Sequence, residues 1–238
     1  MNLFYTQPEN VRDNYLSLEG QEAHHAVKVL RYGVGDSILV TEGQGGRYTG
    51  KIESVSKNQV VVKVEDSVHH PPPVPKVTLA VGLIKKRDRL EFAIEKAVEL
   101  GAWQIIVFQG IHSEKTGVRM DRLEITALSA MKQSLRLWLP EILHYESLEN
   151  VLSRHPEDQM GVADEQVSAE NESEVCEDMQ EFRKGSALMI IGPEGGFSEF
   201  ERELMEKEEV VPFSLGPFRL RTETAVVSLM SRLRVGSG

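Results

Sequence analysis

Two short stretches near the C-terminal end carry the residues best suited to chemistry. Ile191-Gly192-Pro193-Glu194-Gly195-Gly196-Phe197-Ser198 sets one carboxylate among three glycines. About twenty residues on, Leu215-Gly216-Pro217-Phe218-Arg219-Leu220-Arg221-Thr222-Glu223-Thr224-Ala225 sets two arginines, an acid and two hydroxyls into one turn. Glycines let backbone N–H groups approach a ligand closely, and a helix N-terminus behind them favours negative charge. An arginine such as Arg221 suits a planar anionic or carbonyl-bearing partner. Glu194 and Glu223 can accept a proton, although an acid in a first helical turn also stabilises the helix dipole by about 0.3–1 kcal/mol with no catalytic role. Neither stretch is a Walker loop, since no Gly-Lys-Ser/Thr follows, and neither matches Gly-x-Gly-x-x-Gly. A nucleotide hydrolase is disfavoured because no lysine–hydroxyl pair is present to hold phosphate and magnesium.

The elements that must position these groups follow from pattern. Ala187 to Ile191 is an apolar run of the kind that forms a buried parallel strand, and Ser198 with Glu201 forms a capping-box pattern that starts a helix at about Glu199. The second stretch repeats the plan: Val210 to Leu215 is strand-like, Gly216-Pro217 breaks it, and Thr222 can cap a helix with apolar residues at Ala225, Val226, Leu229, Met230 and Leu233. Two such junctions predict one pocket at the strand C-terminal ends. Upstream, Val77 to Ile84 is a buried strand and Lys85-Lys86-Arg87-Asp88-Arg89 a basic loop. Leu90, Ala93, Ile94, Ala97 and Val98 then fall at helical spacing before Gly101, and Gln104 to Phe108 is the next strand. This strand–helix–strand unit gives an α/β class with a largely parallel sheet. A longer helix is expected from about Arg119 to Trp138, ended by Pro140, with Gln159 to Ala163 a short strand beyond it.

Residues 1 to 68 differ in kind. Tyr15 to Leu18, Ser37 to Glu42, Tyr48 to Val55 and Gln59 to Val64 read as strands of a small β-barrel, interrupted by one helix from Gln21 to Arg31. His24 and His25 are adjacent on that helix and point about 100° apart, which argues against a shared metal ion. His69-His70-Pro71-Pro72-Pro73-Val74-Pro75 cannot continue a ladder and marks a boundary, so the expected domains are 1–70 and 76–238.

The net charge of −10 would ordinarily oppose a polyanionic partner. Its distribution weakens that objection: residues 141–182 hold 13 acidic side chains and one basic, a net −12, leaving the rest at +2. The acidic stretch Asp164 to Asp178 is expected to be a solvated loop or exposed helix. The single cysteine, Cys176, excludes an internal disulfide framework, and with no signal peptide or long apolar run the expected setting is cytoplasmic, without membrane or metal.

The two C-terminal stretches resemble the signature of the RsmE family, uracil-N3 methyltransferases of small-subunit 16S ribosomal RNA within the SPOUT superfamily. Other matches fall in the same order: His24-His25 with Val29-Leu30-Arg31, Lys85 with Asp88-Arg89, Glu95-Lys96 with Glu99-Leu100-Gly101, Ser113-Glu114, and Gln133-Ser134 with Arg136 and Pro140. The resemblance implies a PUA-like β-barrel followed by a trefoil-knotted α/β domain that binds S-adenosylmethionine (SAM) and works as a homodimer. It implies that Ile191 to Gly196, Leu215, Gly216, Leu220, Arg221, Thr224 and Ala225 hold the cofactor, with Ala163 lining a third loop. RNA contacts are expected from His24, His25, Arg31, Lys85, Lys86, Arg87, Arg89 and Arg136, and catalytic roles from Arg221, Glu223 and Glu194. Two departures stand out: Phe218 occupies a position where the family often has arginine, with Arg219 one place later, and Asn2-Leu3-Phe4 lacks the arginine many members carry before the first Phe. A non-catalytic RNA-binding assembly factor and a knotted methyltransferase acting on transfer RNA are the alternatives.

Overall fold

A computed structural model describes residues 2–114, 117–157, 159–167 and 181–233. The chain forms two compact units, one of Met1–Pro72 with Met131–Leu139 and the other of Pro73–Ala130 with Pro140–Gly238. Cys176 and most of the acidic stretch after Val167 lie outside the described residues.

The first unit is a six-stranded mixed sheet, in the order β1 (Leu3–Tyr5), β4 (Ser37–Thr41), β5 (Gly46–Val55), β6 (Gln59–His69), β3 (Tyr15–Glu19), β2 (Val11–Arg12). The β1–β4 pair is parallel and the other four pairs are antiparallel. Alternate residues Leu16, Leu18, Ile38, Val40, Ile52, Val60 and Val62 are buried with Phe4, the half-buried pattern of an antiparallel sheet. β1 and β2 were not evident from the sequence, being three and two residues long. The expected helix from Gln21 to Arg31 is shorter and in two parts, α1 (Gly20–His24) and a π-helical turn over His25–Val29, after which Arg31 turns the chain at φ 60°.

Residues 131–139 complete this unit. Gly45 N donates to Leu137 O at 2.8 Å, Leu139 N to Gly43 O at 2.9 Å, and Trp138 Nε1 to Pro71 O at 3.1 Å. The Lys132 ammonium pairs with the Glu22 carboxylate. The helix expected to reach Trp138 therefore stops early: α3 is Met120–Gln133, and Leu135 at φ 57° redirects the chain toward the Gly43–Gly45 turn.

The second unit holds a sheet in the order β12 (Val211–Phe213), β10 (Met160–Ala163), β11 (Ser186–Ile191), β7 (Lys76–Gly82), β8 (Gln104–Phe108), β9 (Glu141–Tyr145), parallel throughout. Its central strands are apolar on both faces, and Leu79, Ala80, Val81, Ile105, Ile106, Val107, Leu188, Met189 and Ile190 are fully buried. α2 (Arg87–Glu99) buries the five residues its period singles out: Leu90, Ala93, Ile94, Ala97 and Val98. β9 and α4 (Leu148–Arg154) were not anticipated. α5 (Glu199–Lys207) starts on the expected capping box, with Glu201 N donating to Ser198 Oγ at 3.2 Å and Ser198 N to Glu201 Oε2 at 2.8 Å. Glu201, 2% exposed, also accepts Ile111 N at 3.0 Å, so one carboxylate both caps α5 and secures the loop after β8. α6 is Thr222–Leu233. Thr222 is its first residue rather than its cap, and the Thr222 hydroxyl instead donates to Gly192 O at 3.2 Å, tying the helix to the loop after β11.

Candidate cofactor and active site

β10, β11 and β12 run parallel and end on the same edge of the sheet, so the loops that follow them converge. Their residues line a cavity of about 400 Å³, within the usual range for small-ligand sites. Ala163, Asp164 and Glu165 come from the first loop, Ile191 to Glu194 with Gly196 and Phe197 from the second, and Ser214 to Gly216 with Phe218 to Arg221 from the third. Thr222 and Ala225 of α6, Arg89 of α2 and Arg202 of α5 complete the wall.

The loop after β11 is shaped by close packing. A Cβ at Gly192 would lie 2.9 Å from the Phe197 ring, and a Cβ at Gly82, on the adjoining strand β7, would lie 2.4 Å from Pro193 N. Gly196 and Gly216 are glycine for a different reason, with φ of 70° and 127°, and neither has a neighbouring atom within 4 Å of where a Cβ would sit. Both line the cavity, which is thus bordered on two sides by bare backbone that can touch a ligand.

Charge around the cavity is mostly paired. Arg89 spans two carboxylates, Nη1 to Glu194 Oε1 at 3.3 Å and Nε to Glu223 Oε1 at 3.5 Å. Arg202 pairs with Asp164, and Arg219 Nε lies 2.9 Å from Glu165 Oε2. Arg221 is exposed, and among the described residues no carboxylate lies within ion-pair distance of it. A ligand meeting Arg221 therefore need not displace an internal partner.

The structure brings together Ala163, Ile191, Gly192, Pro193, Glu194, Gly196, Leu215, Gly216, Leu220, Arg221 and Ala225 from the expected cofactor residues. Gly195 and Thr224 do not line the cavity: Gly195 packs on His112, where a Cβ would fall 2.9 Å from His112 O, and Thr224 is exposed on the first turn of α6. Of the expected catalytic groups, Arg221 and Glu194 face the cavity, whereas Glu223 is not among the lining residues; it is 8% exposed, and its Oε2 has no hydrogen-bond partner among the described residues. Asp164 and Glu165, expected in a solvated acidic run, also form part of the wall and pair with two of its arginines; Glu165 is exposed as expected, whereas Asp164 is half-buried. Arg202 also went unread, although it sits one residue past the capping Glu201.

The residues expected to meet RNA are dispersed. Lys86 and Arg87 are exposed at the N-terminal end of α2, as its cap and its first residue, while Lys85 Nζ is paired with Glu114 at 2.7 Å. Arg89, another expected RNA contact, is half-buried and pairs with both Glu194 and Glu223. His24, His25 and Arg31 are exposed in the first unit, and no group of three metal-ligating side chains occurs among the described residues. Arg136 is half-buried, and desolvation lowers its pKa to about 10.

Comparison with known proteins places this geometry in a class. Residues 18–65 match the RNA methyltransferase PUA domain model and residues 70–234 the RNA methyltransferase domain model. The ribosomal RNA small subunit methyltransferase E of Bacillus subtilis is 35% identical over 227 residues, covering 91% of this chain and 88% of its own. An rRNA-methyltransferase structure from Porphyromonas gingivalis is 31% identical with a TM-score of 0.83, covering 97% of this chain and 95% of its own. A Legionella pneumophila methyltransferase, whose structure holds bound cofactor SAM, is 27% identical at the same TM-score of 0.83, covering 97% of this chain and 96% of its own. The chain belongs to the ribosomal RNA small subunit methyltransferase E family.

Proposed function

We propose that this chain transfers a methyl group from SAM to N3 of a uridine in small-subunit 16S ribosomal RNA. The observation that carries the reading is Arg221, which among the described residues is the one arginine of the cavity wall without an internal carboxylate, in a cavity whose size suits an adenosyl group. The apolar side chains of Ala163, Ile191, Leu215, Leu220 and Ala225, with the open backbone at Gly196 and Gly216, would hold the cofactor. Bound SAM supplies an electrophilic methyl on a sulfonium.

The protein's own tasks follow from the acceptor. N3 of uracil carries a proton, and its lone pair becomes available for attack only once that proton has gone. Arg221 stabilises the negative charge that spreads onto O2 and O4, acting as a fixed dipole would in an oxyanion site. Glu194 accepts the proton directly or through water, while Arg89 and Lys85 N, at 3.3 Å each, hold its two oxygens in place. Glu223 acts from behind Arg89 as a positioning group. The first unit serves as the RNA-docking domain; the second, whose exposed Lys86 and Arg87 also meet RNA, is the catalytic and dimerising domain of a cytoplasmic homodimer. The trefoil knot belongs to this reading, supported by the closure of three successive loops on one cavity.

Transfer of tritiated methyl from SAM to small subunits purified from cells lacking this protein, with the modified base identified by mass spectrometry, tests the reading. Label on N3 of one uridine is expected; label on another atom or none at all would refute it. Arg221→Ala should slow single-turnover transfer at least tenfold, about 1.4 kcal/mol of barrier, with no change in melting temperature. An unchanged rate removes Arg221 from the mechanism.

A further inference from the structure

We propose that Phe218 is the platform on which the substrate pyrimidine stacks, an inference that rests on the methyl-transfer reading above. Phe218 is 81% exposed, more than any other exposed large hydrophobic residue among those described, yet it lines the cavity. Single exposed apolar residues are common and need no explanation by themselves. This one differs because the turn that presents it is built to hold one shape.

Gly216 adopts φ 127°, a conformation L side chains rarely take, and Pro217 fixes its own φ immediately before Phe218. The Ser214 hydroxyl accepts Gly216 N–H and donates to Gly216 O, each at 3.2 Å, and Arg232 Nη2 donates to Leu215 O at 3.1 Å. Ser214 itself is buried. The turn that leads into Phe218 is therefore braced, and it presents the phenyl ring at the cavity.

Three residues further along the same loop stands Arg221, with no carboxylate partner among the described residues. An exposed aromatic ring and an exposed guanidinium lining one cavity match what an unstacked nucleotide requires: the base lies on the ring, and the cation takes a carbonyl or phosphate oxygen. Chemistry at a ring nitrogen also requires the base to leave its own stack, and a replacement stacking partner offsets that loss. Leucine at this position would supply apolar area but no flat π-face. The ring thus selects a planar base presented edge-on to Arg221.

The test uses the full chain, saturating SAM and small subunits from cells lacking this protein, with Phe218→Ala, Phe218→Leu and Phe218→Trp. All three variants are expected to melt with the wild type and to bind SAM within about twofold of it by calorimetry. The apparent kcat/KM for subunits is expected to fall about tenfold or more in the Ala and Leu variants and to stay within about threefold in the Trp variant. Wild-type kinetics in Phe218→Ala, or Leu performing as well as Trp, would overturn the platform. So would weakened SAM binding in Phe218→Ala, which would make the ring a cofactor wall, or a change of sedimentation from dimer to monomer, which would make it a subunit contact. A wild-type protein that neither binds SAM nor transfers methyl would instead remove the underlying reading, and the platform with it.

Discussion

The two main cavity loops do comparable jobs by opposite means. The loop after β11 is wedged among neighbours: Pro193 lies on Gly82 and Gly110, Gly192 on Phe197, and Gly195 on His112. The loop after β12 is held by hydrogen bonds and an ion pair, Ser214 to Gly216 within the turn, Arg232 of α6 to Leu215 O and Arg219 to Glu165, while Phe218 stands in solvent. Packing defines a surface that must fit one fixed ligand. A braced turn with an exposed ring can meet a partner that arrives and leaves.

The contrast predicts a ranking of mutational effects. Gly82→Ala should be the most severe, because its Cβ would meet backbone atoms, Pro193 N at 2.4 Å and Gly192 C at 2.9 Å, that cannot move without displacing the whole β11 loop. A loss of about 3 kcal/mol in unfolding free energy and at least a hundredfold in SAM affinity are expected, read by denaturant melts and calorimetry. If Gly82→Ala binds SAM normally, the packed loop is not the cofactor wall. Arg89→Ala comes next. It deprives the Glu223 carboxylate, 8% exposed with Oε2 already unpartnered, of its cation and should cost about 2 kcal/mol of stability, partly restored by Arg89→Lys.

Ser214→Ala should act on the second loop alone. Losing two 3.2 Å hydrogen bonds within a short turn should cost about 1 kcal/mol, appearing as roughly fivefold weaker SAM binding with an almost unchanged melting temperature. A large drop in melting temperature would mean that this loop, too, is part of the packed scaffold. The smallest effect belongs to Lys86→Ala with Arg87→Ala, both exposed. Folding should be unaffected, and the slope of log affinity for RNA against log salt should become shallower by about 0.7 per charge removed. An unchanged slope would take these two side chains out of the docking surface.

Much of this organisation is legible in the sequence where one physical signal dominates. The α2 period, the Ser198–Glu201 capping box and the buried runs of β7, β8 and β11 each depend on burial or local bonding alone. The failures occur where two signals compete. β9 lies at the sheet edge and buries only Ile142 of its five residues, so no apolar run marks it. The helical period continues through Leu135, but a left-handed turn there, imposed by pairing with Gly43 and Gly45, ends α3 two residues earlier. At the site, Gly192, Gly196, Gly216 and Arg221 were singled out and do line the cavity, whereas Gly195 packs on His112. Asp164 and Glu165 were not singled out, because the acidic residues that follow them make a wall carboxylate look like one more solvated charge. Arg89 was read as a cation awaiting RNA, since ion pairing with residues more than a hundred positions away leaves no local trace.

The return of Met131–Leu139 to the first unit has a practical corollary for anyone dissecting the molecule. A fragment cut at the proline run would strip Gly43 O and Gly45 N of their bonds and uncover the surface on which Trp138 rests. Exchanging this module between relatives would require three splice points, because its sequence arrives in two instalments and the second, only nine residues long, is flanked on both sides by sequence of the other unit.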